Sequence, residues 1–189
     1  TTVDRTTDGT GRVDRLPWSA LAALDAGEGE RIPALEELLA FAAGRAAAGT
    51  APFLNLELKM PGVGPDVLDA LARADYRGPL ALSSFDYPTL EETRRRDAGI
   101  ELWLLSDSWS DDLPGRAGAI DASCLALGHR ALADEIRARV ASAGLGLVAW
   151  TVDAPADLRR LLAARPPLRA IITNRPDLAS DERRATSDE

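Results

Sequence analysis

The feature that most constrains this chain is a repeating unit of strand followed by helix. Apolar runs of strand length fall at 52–59, 79–85, 100–105, 118–122, 145–152 and 168–173. Helical spacing fills most of the gaps: 65–75 with Val67, Leu68 and Leu71 as its stripe, Pro88 to about Asp97, 129–143 closed by Gly144, and 155–164. The exception is an irregular Ser/Asp loop after 100–105. Upstream, Pro17–Leu24 reads as a short helix. A longer one opens at Pro33 with Glu36 and Glu37 in its first turn, where the helix dipole favours acids, and closes at Gly49. Strands that alternate with helices pair in parallel and are covered on both faces.

Right-handed crossovers of this kind build either an open doubly wound sheet or a closed barrel. No glycine-rich phosphate loop follows any of the strands, which disfavours the nucleotide-binding version of the open sheet. A (β/α)8 barrel typically needs ~250 residues. Two further units of ~30 residues each would make up the deficit of this chain. The expectation is therefore an α/β fold, a TIM (β/α)8 barrel lacking its first two strands, with six parallel strands present. It would occupy residues 1–178 as one domain, with 179–189 a charged, disordered tail. The chain starts at Thr1 and its only methionine is Met60, so the true N-terminus is expected to be missing.

Composition removes several classes of function. At 46% hydrophobic the 189 residues can bury one substantial core. A formal net charge of −8 argues against a nucleic-acid partner, because phosphate backbones select basic surfaces. Cys124 is the only cysteine, so there is no internal disulfide framework. No apolar run reaches the ~18 residues of a membrane span. Compartment and oligomeric state stay open.

One strand breaks the pattern of a sheet buried on both faces. In Pro52–Pro61, period-two alternation puts Phe53, Asn55, Glu57 and Lys59 on one face and Leu54, Leu56 and Leu58 on the other. The bland reading is a solvent-facing strand with a Glu57–Lys59 contact along it. The other is that the polar face points into a barrel mouth. Of 22 basic residues Lys59 is the only lysine. It is a compact ammonium at the C-terminal end of a strand, where a point charge suits a phosphate oxygen.

Several motifs agree in order and spacing. They are Val3-Asp4-Arg5-Thr6-Thr7-Asp8-Gly9-Thr10-Gly11, Arg31-Ile32-Pro33-Ala34-Leu35-Glu36-Glu37, Asn55-Leu56-Glu57-Leu58-Lys59, Ser83-Ser84-Phe85, Trp150-Thr151-Val152 and Thr173-Asn174-Arg175-Pro176. Together they resemble the glycerophosphodiester phosphodiesterase family from residue 1 to about 178. That resemblance implies a TIM barrel and metal-dependent hydrolysis of glycerophosphodiesters to glycerol 3-phosphate and an alcohol. It implies Glu57 as a ligand of a divalent ion, Mg or Ca, and Lys59 as the catalytic phosphate contact. Trp150, Phe85 and Ser84 would bind substrate, although core packing for Trp150 and a strand-terminal cap for the other two compete with that role. The family's H-R-G histidine, E-x-D ligands and H-D histidine lie upstream of the D-R-T-T segment. They would precede Thr1, so the chain as given is expected to be inactive or nearly so. Asp153 stands where the family usually has Asn, and Asn174 where Asp is common.

Two alternatives remain beside this one: a non-catalytic barrel remnant that binds a phosphorylated ligand or a partner, and a phospholipase D-like lipid hydrolase of the same superfamily. Three polar features are read as structural. His129, the only histidine, is expected to open a helix on the side opposite the strand C-termini. Asp107, Asp111 and Asp112 lack the spacing of a calcium loop and read as a solvated loop beside the mouth. Arg94-Arg95-Arg96 reads as a solvated helix end.

Overall fold

A computed structural model describes residues 1–178. It resolves into two compact units, one of Thr1–Leu54 with Asp66–Pro79, the other of Asn55–Pro65 with Leu80 onward. In the first, the polar opening segment folds back on itself: Val3 N donates to Gly11 O at 3.0 Å and the Thr7 hydroxyl donates to Val3 O at 2.9 Å, around a buried Val3. Helix α1 is only Trp18–Leu21, shorter than the sequence suggests, and α2 spans Leu35–Ala47. Glu37 fixes the start of α2 by accepting from Ala34 N at 2.9 Å and from Arg31 Nη2 at 2.7 Å. Past its last turn Gly49 takes a φ of 77°, the left-handed conformation that ends helices.

The six strands are β1 Leu54–Glu57, β2 Leu80–Ser84, β3 Leu102–Ser106, β4 Cys124–Gly128, β5 Gly146–Trp150 and β6 Ala170–Ile171. Between them run α3 Gly64–Arg73, α4 Tyr87–Arg96, α5 Leu113–Ala119, α6 Asp134–Ser142 and α7 Pro155–Leu162. The sheet order is β1-β2-β3-β4-β5-β6, and the pairs from β2 to β6 are parallel. Leu54 N to Pro79 O and Leu58 N to Ser83 O keep one constant offset, so β1 is parallel to β2 as well. A doubly wound sheet would reverse its order at a switch point. This one does not, and the fold is the α/β, TIM-barrel type.

Two faces follow from the register. Leu82, Leu102, Leu104, Leu125 and Leu127 are fully buried on the face that meets the helices, where α4 packs on β2 and β3, α5 on β4, and α6 on β5. Each such leucine stabilises the fold by roughly 1.5–3 kcal/mol. On the opposite face Ala81, Trp103, Leu105, Cys124, Ala126 and Val148 form one buried cluster, joined by the half-buried Trp150, Ala170 and Ile172.

The sequence reading misplaced one unit. The strand expected at 118–122 is the end of α5 and a turn in which Asp121 takes a φ of 48°, and the true strand is Cys124–Gly128. What reads as an irregular loop ends in α5, whose Gly115 and Gly118 disguise it. Its helical signals are Pro114 in the first turn and the buried pair Leu113 and Ala117, one turn apart. The expectation of a disordered tail at 179–189 lies outside the described residues.

Arg94 is also more than a solvated helix end. Its guanidinium donates to the carbonyls of Ile120, Asp97, Ala98, Ile100 and Asp121 at 2.5–3.2 Å, which closes the turns leading into β3 and β4. Glu101 works beside it, accepting from Trp103 Nε1 at 2.8 Å and from the Ser123 hydroxyl at 2.9 Å.

Candidate active site

The carboxyl ends of the strands carry most of the uncommitted chemistry of the sheet. Leu58 N donating to Ser83 O sets Leu58 opposite Ser84 and therefore Glu57 opposite Ser83. Ser83 in turn pairs with Trp103, and Trp103 with Cys124. Glu57 thus lies on the face of the buried cluster that includes Trp103 and Trp150, not on the leucine face. Its carboxylate stands 3.3 Å from Lys59 Nζ, with the two side chains 32% and 52% exposed. This is the contact along the strand that the bland reading foresees. A pair so exposed is worth about 0–1 kcal/mol, so a phosphate can displace it at little cost.

Phe85 and Trp150 meet in an edge-to-face contact, ring centroids 5.4 Å apart at 88°. Trp150 is paired with Gly128, which leaves room across β4, and its Nε1 donates to Ala126 O at 3.0 Å. Gly128 is forced by its neighbour too: a Cβ there would come within 2.6 Å of Asp107 O. The indole is thereby fixed at one edge while its other faces stay half-exposed.

Ser84 is placed differently from Phe85. It lies on the leucine face, buried, donating to Leu58 O at 2.7 Å and accepting from Asp86 N at 3.0 Å. Its hydroxyl ties β1 to β2 and leads into the Asp86 cap of α4, which accepts from Thr89 N at 3.1 Å. The hydroxyl that sequence reasoning passed over is Ser83. It is 0% exposed, its Oγ has no partner among the described residues, and it sits beside Glu57. Alternation along Ala81-Leu82-Ser83-Ser84-Phe85 was the available signal, since it puts Ser83 with Phe85 and separates Ser84 from both.

At the last two strand ends, Asp153 accepts from Thr173 Oγ1 at 3.0 Å and from Asn174 N and Nδ2 at 2.8 Å each. The Asn174 amides, side chain before backbone, hold the Asp153 carboxyl below the usual range. His129 corrects the sequence reading. It directly follows Gly128, the last residue of β4, so it lies at the carboxyl ends of the strands and not at the opposite end. The error came from the misplaced strand. Its ring is 17% exposed, with Nε2 3.6 Å from Asp157 Oδ2 on α7. Asp111, in the loop after β3, pairs with Arg139 at 2.9 Å and accepts from Trp109 Nε1 at 2.9 Å.

The arrangement offers an ammonium, a carboxylate and an aromatic wall. Among the described residues no three His, Cys, Asp or Glu side chains converge to hold a metal ion. One carboxylate paired with a lysine does not fit a divalent cation by itself.

A parallel βα sheet with such a group of residues at its strand ends has the form of a barrel enzyme, whose sites are built at that end. The model of the Glycerophosphoryl diester phosphodiesterase family matches residues 1–178, and the chain belongs to that family. It is 28% identical to a glycerophosphodiester phosphodiesterase of Caldanaerobacter subterraneus subsp. tengcongensis, over 93% of this chain and 74% of that protein. Its fold is that of an Oleispira antarctica phosphodiesterase solved with its product sn-glycerol-3-phosphate, at TM-score 0.82 and 22% identity, covering 97% of this chain and 76% of the other. A glycerophosphodiester phosphodiesterase of Agrobacterium tumefaciens also shares it, at TM-score 0.73 and 21% identity over 95% and 78% of the two chains.

Proposed function

We propose that the carboxyl-end site binds the phosphate of a glycerophosphodiester and serves its hydrolysis to glycerol 3-phosphate and an alcohol. The observation that carries this is the shared face: Glu57 and Lys59 lie on the same side of the sheet as Phe85 and Trp150. In the reaction water adds to phosphorus, the bond from phosphorus to the alcohol oxygen breaks, and a proton passes to the departing oxygen. Lys59 neutralises charge on the non-bridging oxygens once it leaves Glu57. Phe85 and Trp150 line the apolar side of the organic moiety. Ser84 holds β1 against β2 and does not reach the ligand.

A divalent ion, Mg or Ca, would supply Lewis acidity in such chemistry. Glu57 would be a ligand for it, although a carboxylate paired with Lys59 does not fit a divalent ion by itself. For proton transfer the only histidine, His129, has Nε2 3.6 Å from Asp157 Oδ2 on α7, and no contact among the described residues joins it to Glu57 or Lys59. The 189-residue chain is therefore expected to bind glycerol 3-phosphate far better than it turns over a diester. Binding without turnover is the second reading that this placement of His129 and Glu57 favours.

The test is titration of the chain with glycerol 3-phosphate beside an assay of its release from glycerophosphocholine with Mg²⁺ or Ca²⁺. Lys59→Met should weaken binding. Unchanged affinity in Lys59→Met would end the reading, and fast turnover by these 189 residues would show the catalytic groups to be misassigned.

A further inference from the structure

Phe85, Tyr87, Trp109 and Trp150 all stand at the carboxyl ends of the strands, and two of these rings already hold a cation. The Arg116 guanidinium lies 4.7 Å from the centre of the Tyr87 ring, and that of Arg139 lies 5.0 Å from the centre of Trp109. Phe85 and Trp150 meet edge to face at 5.4 Å, and among the described residues no cation stands over either. Both rings stay partly open to solvent.

Asp107 approaches the same pair from the β3 side. Ser106 pairs with Leu127, so Asp107 stands opposite Gly128, which in turn pairs with Trp150. A Cβ on Gly128 would lie 2.6 Å from Asp107 O and 3.8 Å from Asp107 Cα, so Asp107 leans over that glycine. Asp107 and Trp150 are thus two strand spacings apart, ~10 Å, with no side chain between them. The rest of the loop is committed. The Ser106 hydroxyl donates to Ser108 O at 2.7 Å, Trp109 Nε1 donates to Asp111 Oδ1 at 2.9 Å, and Asp111 pairs with Arg139 at 2.9 Å. Asp107 is exposed, and among the described residues its carboxylate has neither a hydrogen bond nor an ion pair. A free carboxylate beside two open ring faces is a set of groups that recognises a cation.

We propose that Asp107 is a specificity-determining residue that selects diesters whose alcohol is positively charged, an amino alcohol or its quaternary ammonium form. The inference rests on the reading of this end as a glycerophosphodiester site. The register that sets Leu58 opposite Ser84 sets Lys59 opposite Phe85. With the phosphate at Lys59, the two-carbon bridge of an amino alcohol spans about one strand spacing, ~4.8 Å. That places the nitrogen against Phe85 and Trp150, with Asp107 on its far side. A neutral polyol gains nothing from the ring faces, and its hydroxyls exchange water for Asp107 at little profit.

Isothermal titration of the 189-residue chain with glycerophosphocholine and glycerophosphoglycerol compares two diesters of equal phosphate charge. The choline diester should bind about tenfold more tightly. Asp107→Asn should bring the two to equal affinity. It should also raise affinity for glycerol 3-phosphate, because the lost carboxylate repels that anion. Asp107→Glu should keep the preference for the choline diester. Neither variant removes a contact of the fold, so both should melt with the parent.

Choline alone, followed by NMR, separates this proposal from the phosphate reading. It should move the Trp150 indole N–H resonance in the parent and not in Asp107→Asn. That response without any binding of glycerol 3-phosphate would support the cation site and end the phosphate reading. An unmoved Trp150 resonance in the parent, or equal affinity of the parent for the two diesters, would overturn the proposal. So would an Asp107→Asn variant that keeps the preference or weakens every ligand alike.

Discussion

The two ends of the same strands use their polar groups in opposite ways. At the amino ends Arg94 gives its guanidinium to five backbone carbonyls, and Glu101 holds an indole and a hydroxyl. At the carboxyl ends Lys59 and Glu57 have, among the described residues, only each other, at 3.3 Å and well exposed. Groups committed to the backbone cannot be lent to a ligand, because freeing them orphans buried carbonyls. Groups held by a weak exposed pair can be. Stability and function are therefore separated along the strand axis, as barrel folds generally allow.

The sharpest way to break that contrast is to exchange the effects of its two cations. Arg94→Met should destabilise the chain by about 1–3 kcal/mol, because several half-buried carbonyls lose a charged donor. Urea denaturation measures it, and a loss under 1 kcal/mol would mean the five contacts are incidental. Lys59→Met should do the reverse. Its stability should change by less than about 0.5 kcal/mol, because the Glu57 pair is exposed. Its affinity for glycerol 3-phosphate should fall about tenfold or more, since a charge-assisted contact to phosphate is lost. A Lys59 variant that melts early but binds normally would erase the distinction.

Sequence alone showed much of this, and its failures have physical reasons. Five of the six strands were found, four as mostly apolar runs bounded by Pro, Gly and Asp and β1 from its period-two alternation. The fourth slipped by one element, since α5 carries two glycines and a proline that hide a helix whose buried stripe is only Leu113 and Ala117. That slip carried His129 to the wrong end of the sheet. The pairing of Glu57 with Lys59, and their face, were legible from alternation. Ser84 was not, because its neighbour Ser83 has the same chemistry and only the register separates them. Arg94 was opaque for another reason: its partners are backbone carbonyls from residues 97 to 121, which leave no mark in sequence.

A smaller effect sharpens the picture of the carboxyl end. Trp150 lies between the two behaviours, with one edge committed to Ala126 O at 3.0 Å and its ring against Phe85. Trp150→Phe keeps an aromatic wall and removes the donor, so it should cost about 1 kcal/mol of stability, the usual net worth of one hydrogen bond. Phe85→Ala should leave stability closer to the parent, Phe85 being 44% exposed, and should weaken binding of diesters with bulky alcohols more than binding of glycerol 3-phosphate. Equal losses for both ligands would place Phe85 outside the organic subsite.

The smallest effect concerns Asp153 and Asn174, which the structure hydrogen-bonds to each other. The pair carries a single negative charge. Its carboxyl titrates below the ordinary range because the Asn174 amides favour the ionised form. The stabilisation is therefore complete above the usual carboxylate range and fades as pH falls through the depressed value. Asp153→Asn should flatten that acid limb of the melting curve slightly and should lose the Thr173 and Asn174 anchors. Asp153→Asn with Asn174→Asp should restore both, with the acid limb now belonging to residue 174. If the double variant is no better than Asp153→Asn, the two residues do not act as a unit, and the loops after β5 and β6 are held together by something other than this pair.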